Sequence, residues 1–128
     1  MRAPHRQDST FQQWLQSVDV STCYVCSLTW MELHTGVLKK RQKDPQQADI
    51  LDAWFKAIHE SFVARTISFD DAAATVTAPL WLMRSRGSID TLLAGTALAH
   101  NLNLVTRNDA DFADVPGLHV VNPWAPTT

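Results

Sequence analysis

Cysteine is scarce in this chain, with two among 128 residues, Cys23 and Cys26. Their spacing is CxxC, which invites zinc or redox chemistry. No second pair exists to complete a zinc site. The YVC run around them reads as a strand, and positions i and i+3 of a strand lie on opposite faces, roughly 10 Å apart. That is too far for a disulfide, so both are expected to be reduced cysteines of the core. Long apolar runs are also missing, and nothing reaches the roughly 18–20 residues a membrane helix needs. The opening segment MRAPHRQDSTFQQWLQ lacks the apolar centre of a secretory signal. A cytoplasmic location and no membrane partner are therefore expected. Basic charge is not in excess, with 11 basic against 13 acidic residues and a formal net charge of -2. Bulk-charge binding of nucleic acid is excluded on that balance. Only local groups remain for such contacts: Lys39, Lys40, Arg41 and Lys43, or Arg84 and Arg86. A basic run closing a helix is equally what solvation and the helix dipole would place there. No Gly-rich phosphate loop supports nucleotide binding. Repeats, low-complexity segments and linkers are absent.

What is present suits one globular domain covering residues 1–128, long enough for a real core. Hydrophobic residues make up 45% and charged residues 19%, ordinary values for a soluble protein. Helical and strand patterns alternate, which points to an α/β fold with a parallel sheet. FQQWLQSV is a short amphipathic helix with Phe11, Trp14 and Leu15 on one side. TCYVCSL is a strand, and Ser27 or Thr29 caps the helix that follows through TWMELHTGVLKKRQ. Asp44 caps the next helix, with Pro45 in its first turn. Ile50, Leu51, Trp54, Phe55, Ile58 and Phe62 fall at helical spacing and form its buried stripe. RTISF is a strand. Asp70 caps DAAATVTAPLWLMRSR, which Pro79 should kink or divide. Ser88 caps SIDTLLAGTALAHN. LNLVT and HVVNP are the last strands, joined through a turn or short helix at DADFADVPG.

Ligand sites of open α/β sheets lie beyond the C-terminal ends of the strands. Asn108, Asp109 and Asp111 directly follow LNLVT. Asp90 lies in the first turn of the preceding helix, and Glu32 early in the helix after CYVCSL. Glu32 stands among Leu28, Met31 and Leu33, where a buried charge needs a partner or a cation. A solvated glutamate near a helix start is the simpler account. The same holds for Asp90, except that Ala94, Gly95, Thr96 and Ala97 predict close packing of its helix. Asn108, Asp109 and Asp111 suit a turn through bonds to nearby backbone. Taken together, these oxygens form a set that suits magnesium, which uses one or two carboxylates with water and substrate phosphate. Metal-dependent nucleases use such acids to activate water. Thr106 and Arg107 lie beside them, in reach of a phosphate. His34 and His100 are candidates for a general base, although both also read as ordinary surface or half-buried residues. Trp30, Trp54, Trp81 and Trp124 read as core or interface aromatics.

The pieces SLTWMELHTGV, ARTISFDDAAA, SIDTLLAGTALAHNLNLVTRNDADF and VVNPW occur in order and cover most of the chain. In them the sequence resembles the PIN-domain nucleases, specifically the VapC-type toxins of type II toxin–antitoxin pairs. The resemblance implies a three-layer α/β/α sandwich with a parallel sheet. It also implies an Mg²⁺- or Mn²⁺-dependent endoribonuclease, a cognate antitoxin and a homodimer. Carried over by position, Glu32, Asp90, Asn108 and Asp111 are the implied catalytic and metal-binding residues, with Asp109 a less secure ligand. One departure stands out. The family begins with an apolar strand ending in an acid, and this chain has no such strand; Asp8 has no apolar run before it. The chain is thus expected to be N-terminally truncated relative to the family, without the first central strand. CYVCS and RTISF would then stand apart from LNLVT and HVVNP, and catalysis is expected to be impaired. The alternative is a non-catalytic PIN-like protein that binds an antitoxin or a dimer partner.

Overall fold

The structure is a computed structural model that describes residues 13–14, 16–84 and 88–124. Phe11 and Leu15 of the expected first helix, and Asp8 and Arg86, lie outside the described residues; residues 13–14 and 16–17 are helical. The chain forms two compact units. One is Cys23–Phe69, and the other joins the described residues up to Thr22 with those from Asp70 onward. Among the described residues, each unit holds a pair of α-helices of 11 residues or more and one parallel pair of strands. This pairing agrees with the grouping expected from the sequence.

In the first unit, β1 (Val25–Cys26) pairs with β2 (Thr66–Ile67), with Val25 opposite Thr66 and Cys26 opposite Ile67. The strand is much shorter than TCYVCSL, because helix α1 (Ser27–Lys43) begins at the next residue. Cys26 is the N-cap, and its side chain makes no capping bond. Neither Ser27 nor Thr29 caps, since both are already inside the helix. Both cysteines are thiols, as expected, but half-buried rather than in the core. Three basic residues, Lys40, Arg41 and Lys43, close α1, where they suit the negative end of the helix dipole. Lys39, Lys40, Arg41 and Lys43 are all exposed, and Arg41 pairs with Asp49 at 2.8 Å.

Helix α2 (Pro45–Phe62) starts where the sequence places it. Asp44 accepts from the Gln47 N–H at 3.2 Å, and Pro45 opens the helix without losing a needed donor. Its stripe is not fully buried. Leu51, Phe55, Ile58 and Phe62 are half-buried, whereas Ile50 is 64% and Trp54 52% exposed. Helical spacing identifies a face but not what covers it. The centre of this unit is Trp30, packed edge-on to Phe55 and His59 with ring centroids 6.1 and 5.0 Å away. Its indole N–H donates to Thr66 Oγ1 at 3.0 Å, and that hydroxyl donates to the Phe62 carbonyl at 3.1 Å. A buried indole needs such a partner, and here the bond ties α1 to the start of β2.

In the second unit, Asp70 caps α3 (Asp71–Met83) by accepting from the Ala73 N–H at 2.9 Å. Pro79 lies inside α3 and does not divide it. Ser88 caps α4 (Ile89–Ala99), accepting from the Thr91 N–H at 3.4 Å. The end of α4 is a Schellman motif. Leu102 N–H bonds the Ala97 carbonyl at 2.9 Å and Asn101 N–H the Leu98 carbonyl at 3.3 Å. Asn101 takes φ 54°, a conformation asparagine tolerates better than most residues. Strands β3 (Leu104–Val105) and β4 (Val120–Val121) run parallel, and a 3-10 turn spans Asp109–Phe112 between them.

Close packing of α4 follows the small-residue signal. Ala94, Gly95, Thr96 and Ala97 are all buried, and a Cβ at Gly95 would overlap the Thr77 side chain of α3. Leu80, Ala94, Phe112 and Val115 form the core, with Leu98, Leu104, Leu118 and Val120 packed against it. Phe112 thereby seats the turn against the helix that carries Asp90.

Candidate active site

Glu32 belongs to the unit of residues 23–69, and Asp90, Asn108 and Asp111 to the other. Glu32 is the sixth residue of α1 and is exposed. Water solvates it there, so the need for a partner inferred from its apolar neighbours does not arise. It borders a cavity of about 240 Å³ lined also by Leu33, Gly36, Val37, Leu51 and Trp54. His34 is exposed and stacks on Phe55, with centroids 5.3 Å apart.

Asp90 occupies the first turn of α4 and is half-buried. Thr91 beside it is fully buried. Ala94, one turn further along, touches the core that holds Phe112. The turn of Asn108 and Asp111 is thus fixed to the same helix by an apolar anchor, while its polar side chains stay exposed.

Hydrogen bonds hold this turn at both ends. At its start, Asn108 N–H donates to Thr106 Oγ1 at 3.1 Å. Asn122 donates through Nδ2 to the Arg107 carbonyl at 3.1 Å and to Asp109 Oδ1 at 3.2 Å. Asn122 Oδ1 in turn accepts from Trp124 N–H at 3.0 Å. This explains the Asn-Pro-Trp run: the asparagine bridges two strand ends. At the far end of the turn, Arg84 donates to the Asp111 carbonyl at 2.7 Å. In sequence Arg84 reads only as a local basic group, because its target lies 27 residues away. Asp109 Oδ1 is thus engaged by Asn122. Arg107 stands over the Trp124 ring at 5.1 Å.

His100 caps the end of α4, and its Nε2 lies 3.1 Å from Asp70 Oδ2. The Asp70 carboxyl is held below its ordinary value, first by the Ala73 N–H and then, against some desolvation, by His100. The Asp70 carboxylate is occupied with the start of α3, and the His100 imidazole faces that carboxylate. Among the described residues, no three His, Cys, Asp or Glu side chains come together as a metal-holding group.

The PIN-domain family model matches residues 2–118. This chain belongs to the PIN-domain family. It is 26% identical to VapC ribonuclease Y4jK of Sinorhizobium fredii over 131 aligned residues, covering 93% of this chain and 87% of that protein. Among solved structures it is similar to FitAcB from Neisseria gonorrhoeae, with a TM-score of 0.77 and 25% identity, covering 97% of this chain and 89% of the other. A toxin–antitoxin complex from Klebsiella pneumoniae is similar with a TM-score of 0.63 and 25% identity, covering 94% and 86%. The α/β reading of the fold, helices with parallel strands, is the fold of these PIN neighbours. Among the described residues no helix is long and apolar enough to cross a membrane.

Proposed function

We propose that this PIN-domain protein is a VapC-like toxin, a metal-dependent endoribonuclease that hydrolyses RNA phosphodiester bonds and is restrained by a cognate antitoxin. The observation that carries this reading is likeness along nearly the whole chain to a protein named as a VapC ribonuclease, within a family match over residues 2–118. The likeness to a toxin–antitoxin complex supports a protein antitoxin as partner. A homodimer and a cytoplasmic location belong to the same reading.

The donor chemistry fits Mg²⁺ or Mn²⁺. Asp90, Asn108 and Asp111 offer only oxygen, which hard divalent ions prefer, and magnesium uses one or two carboxylates beside waters and substrate phosphate. A cluster of three acids is therefore not required. Asp90, Asn108 and Asp111 would hold the ion, with Glu32 assigned as a further ligand on the family pattern alone. When bound, such an ion lowers the pKa of water and stabilises charge on the phosphate. Around it, Asp90 supplies charge from a rigid helix start. Asn108 and Asp111 supply oxygens from a turn held by Thr106, Asn122 and Arg84. Arg107, exposed beside them, attracts the RNA backbone.

Purified protein incubated with RNA and Mn²⁺ should cleave it, and EDTA should stop the reaction. Cleavage that survives chelation, or that survives alanine at Asp90 and Asp111 alike, would refute the proposal.

A further inference from the structure

We infer that Arg84 is a positioning residue for the proposed metal site, acting through the backbone of the turn that carries Asn108 and Asp111. The inference rests on the nuclease reading above. Arg84 sits at the C-cap of α3, and its side chain is only 17% exposed. One guanidinium nitrogen, Nη2, donates to the Asp111 carbonyl at 2.7 Å. The other, Nη1, is shielded from solvent, has no hydrogen-bond partner among the described residues, and lies 3.5 Å from Asp114 Oδ1, at ion-pair distance. The guanidinium carbon stands 5.9 Å from the centre of the Phe112 ring. A single side chain thus meets three positions of one short segment: a carbonyl, a ring and a carboxylate.

The chemistry explains why arginine suits this place. A planar fork can donate to a carbonyl, keep its charge at ion-pair distance from a carboxylate and lie near an aromatic face, a combination a lysine ammonium does not match. Holding the Asp111 carbonyl constrains the backbone of the last residue before the Phe112 anchor, so the Asp111 carboxylate is left free to face outward. A four-residue 3-10 turn has few internal bonds of its own. Here the Asp111 N–H to Asn108 carbonyl bond is 3.0 Å and the Ala113 N–H to Ala110 carbonyl bond 3.4 Å. Outside support therefore decides how narrowly the ligands are placed. Arg84 does not itself supply oxygen, so it acts through the turn.

Outer groups that orient metal ligands typically change metal affinity or activity about 10- to 100-fold when removed. Arg84→Ala is thus expected to weaken Mn²⁺ binding, measured calorimetrically without RNA, by about 10-fold or more. It should also speed amide exchange at Asp111 and its neighbours while the far-UV dichroism stays that of the wild type. If the alanine variant melts too early, Arg84→Lys carries the test. It keeps the charge but not the fork, and its Mn²⁺ affinity should fall between wild type and alanine. An Mn²⁺ affinity and amide exchange unchanged by either substitution overturn the positioning role. So does a raised KM for RNA with unchanged Mn²⁺ affinity, which would make Arg84 a substrate contact. Wild-type protein that neither binds Mn²⁺ nor cleaves RNA overturns the nuclease reading itself and takes the positioning role with it.

Discussion

Gly95→Ala should destabilise this protein, although the helix scale alone says the opposite. In an exposed helix interior, alanine is favoured over glycine by about 0.8–1.0 kcal/mol. Gly95, however, is buried where α4 meets α3. An added Cβ would overlap Thr77 Oγ1, lie 2.8 Å from Thr77 Cβ and 3.2 Å from Thr77 Cα. Rotating the Thr77 side chain relieves only the first of these, because Cβ and Cα move only with the helix backbone. Overpacking a close-packed interior costs about 1–3 kcal/mol, and this contact belongs at the upper end. The two effects leave a net loss of about 2 kcal/mol. At roughly 2–8 °C per kcal/mol across small and medium domains, the melting temperature should fall by about 4–16 °C.

Thr77 supplies the control. Among the described residues its buried Oγ1 has no hydrogen-bond partner, and burying such a hydroxyl is unfavourable. Thr77→Ala removes that group and should be nearly neutral alone. Combined with Gly95→Ala it should recover part of the loss, since Oγ1 is gone while Cβ and Cα remain. Urea denaturation of the four proteins in this cycle measures the coupling. A Gly95→Ala variant as stable as wild type, or more stable, would refute the close approach of the two helices.

Three further outcomes are expected. Trp30→Ala removes the aromatic centre of its unit and leaves Thr66 Oγ1 without its donor, so denaturation should show a loss of about 3–5 kcal/mol; a loss under 1 kcal/mol would contradict the packing described. The depressed Asp70 carboxyl contributes stability that is full above its ordinary pKa of 3.8 and is lost as pH falls through the lower folded value. Asp70→Ala should therefore be less stable than wild type at pH 7, with the gap closing on acidification below 3.8; a gap that widens there has the wrong sign. Asp90→Ala should lower metal-dependent RNA cleavage by at least about 10- to 100-fold, the loss even an outer metal partner causes, with little change in melting temperature.

The features legible in the sequence are those that local chemistry decides. Asp44, Asp70 and Ser88 cap their helices as read, because each needs only a backbone N–H three residues on. The small residues 94–97 announced a tight helix contact, although not that Thr77 was its other side. Strand ends were less legible. TCYVCSL has strand composition over seven residues, yet among the described residues only Val25 and Cys26 pair with another strand, and Ser27 already begins α1. Pro79 shows the same limit from the other direction: the rule against proline in helices gives way inside α3. Ile50 and Trp54 carry helical periodicity but remain exposed.

The acids of the candidate site could be picked out along the chain because they lie at helix starts and turns. What holds them could not. Arg84 and Asn122 act on the turn from 27 and 13–15 residues away. In sequence they read as a basic residue after an apolar helix and an asparagine before a proline. Their meaning comes from the turn they meet, and that turn stays in place because Phe112 is buried beneath it. For this protein the residues proposed to do chemistry are therefore easier to name than those that aim them. The aiming residues are where substitution should separate metal affinity from overall stability.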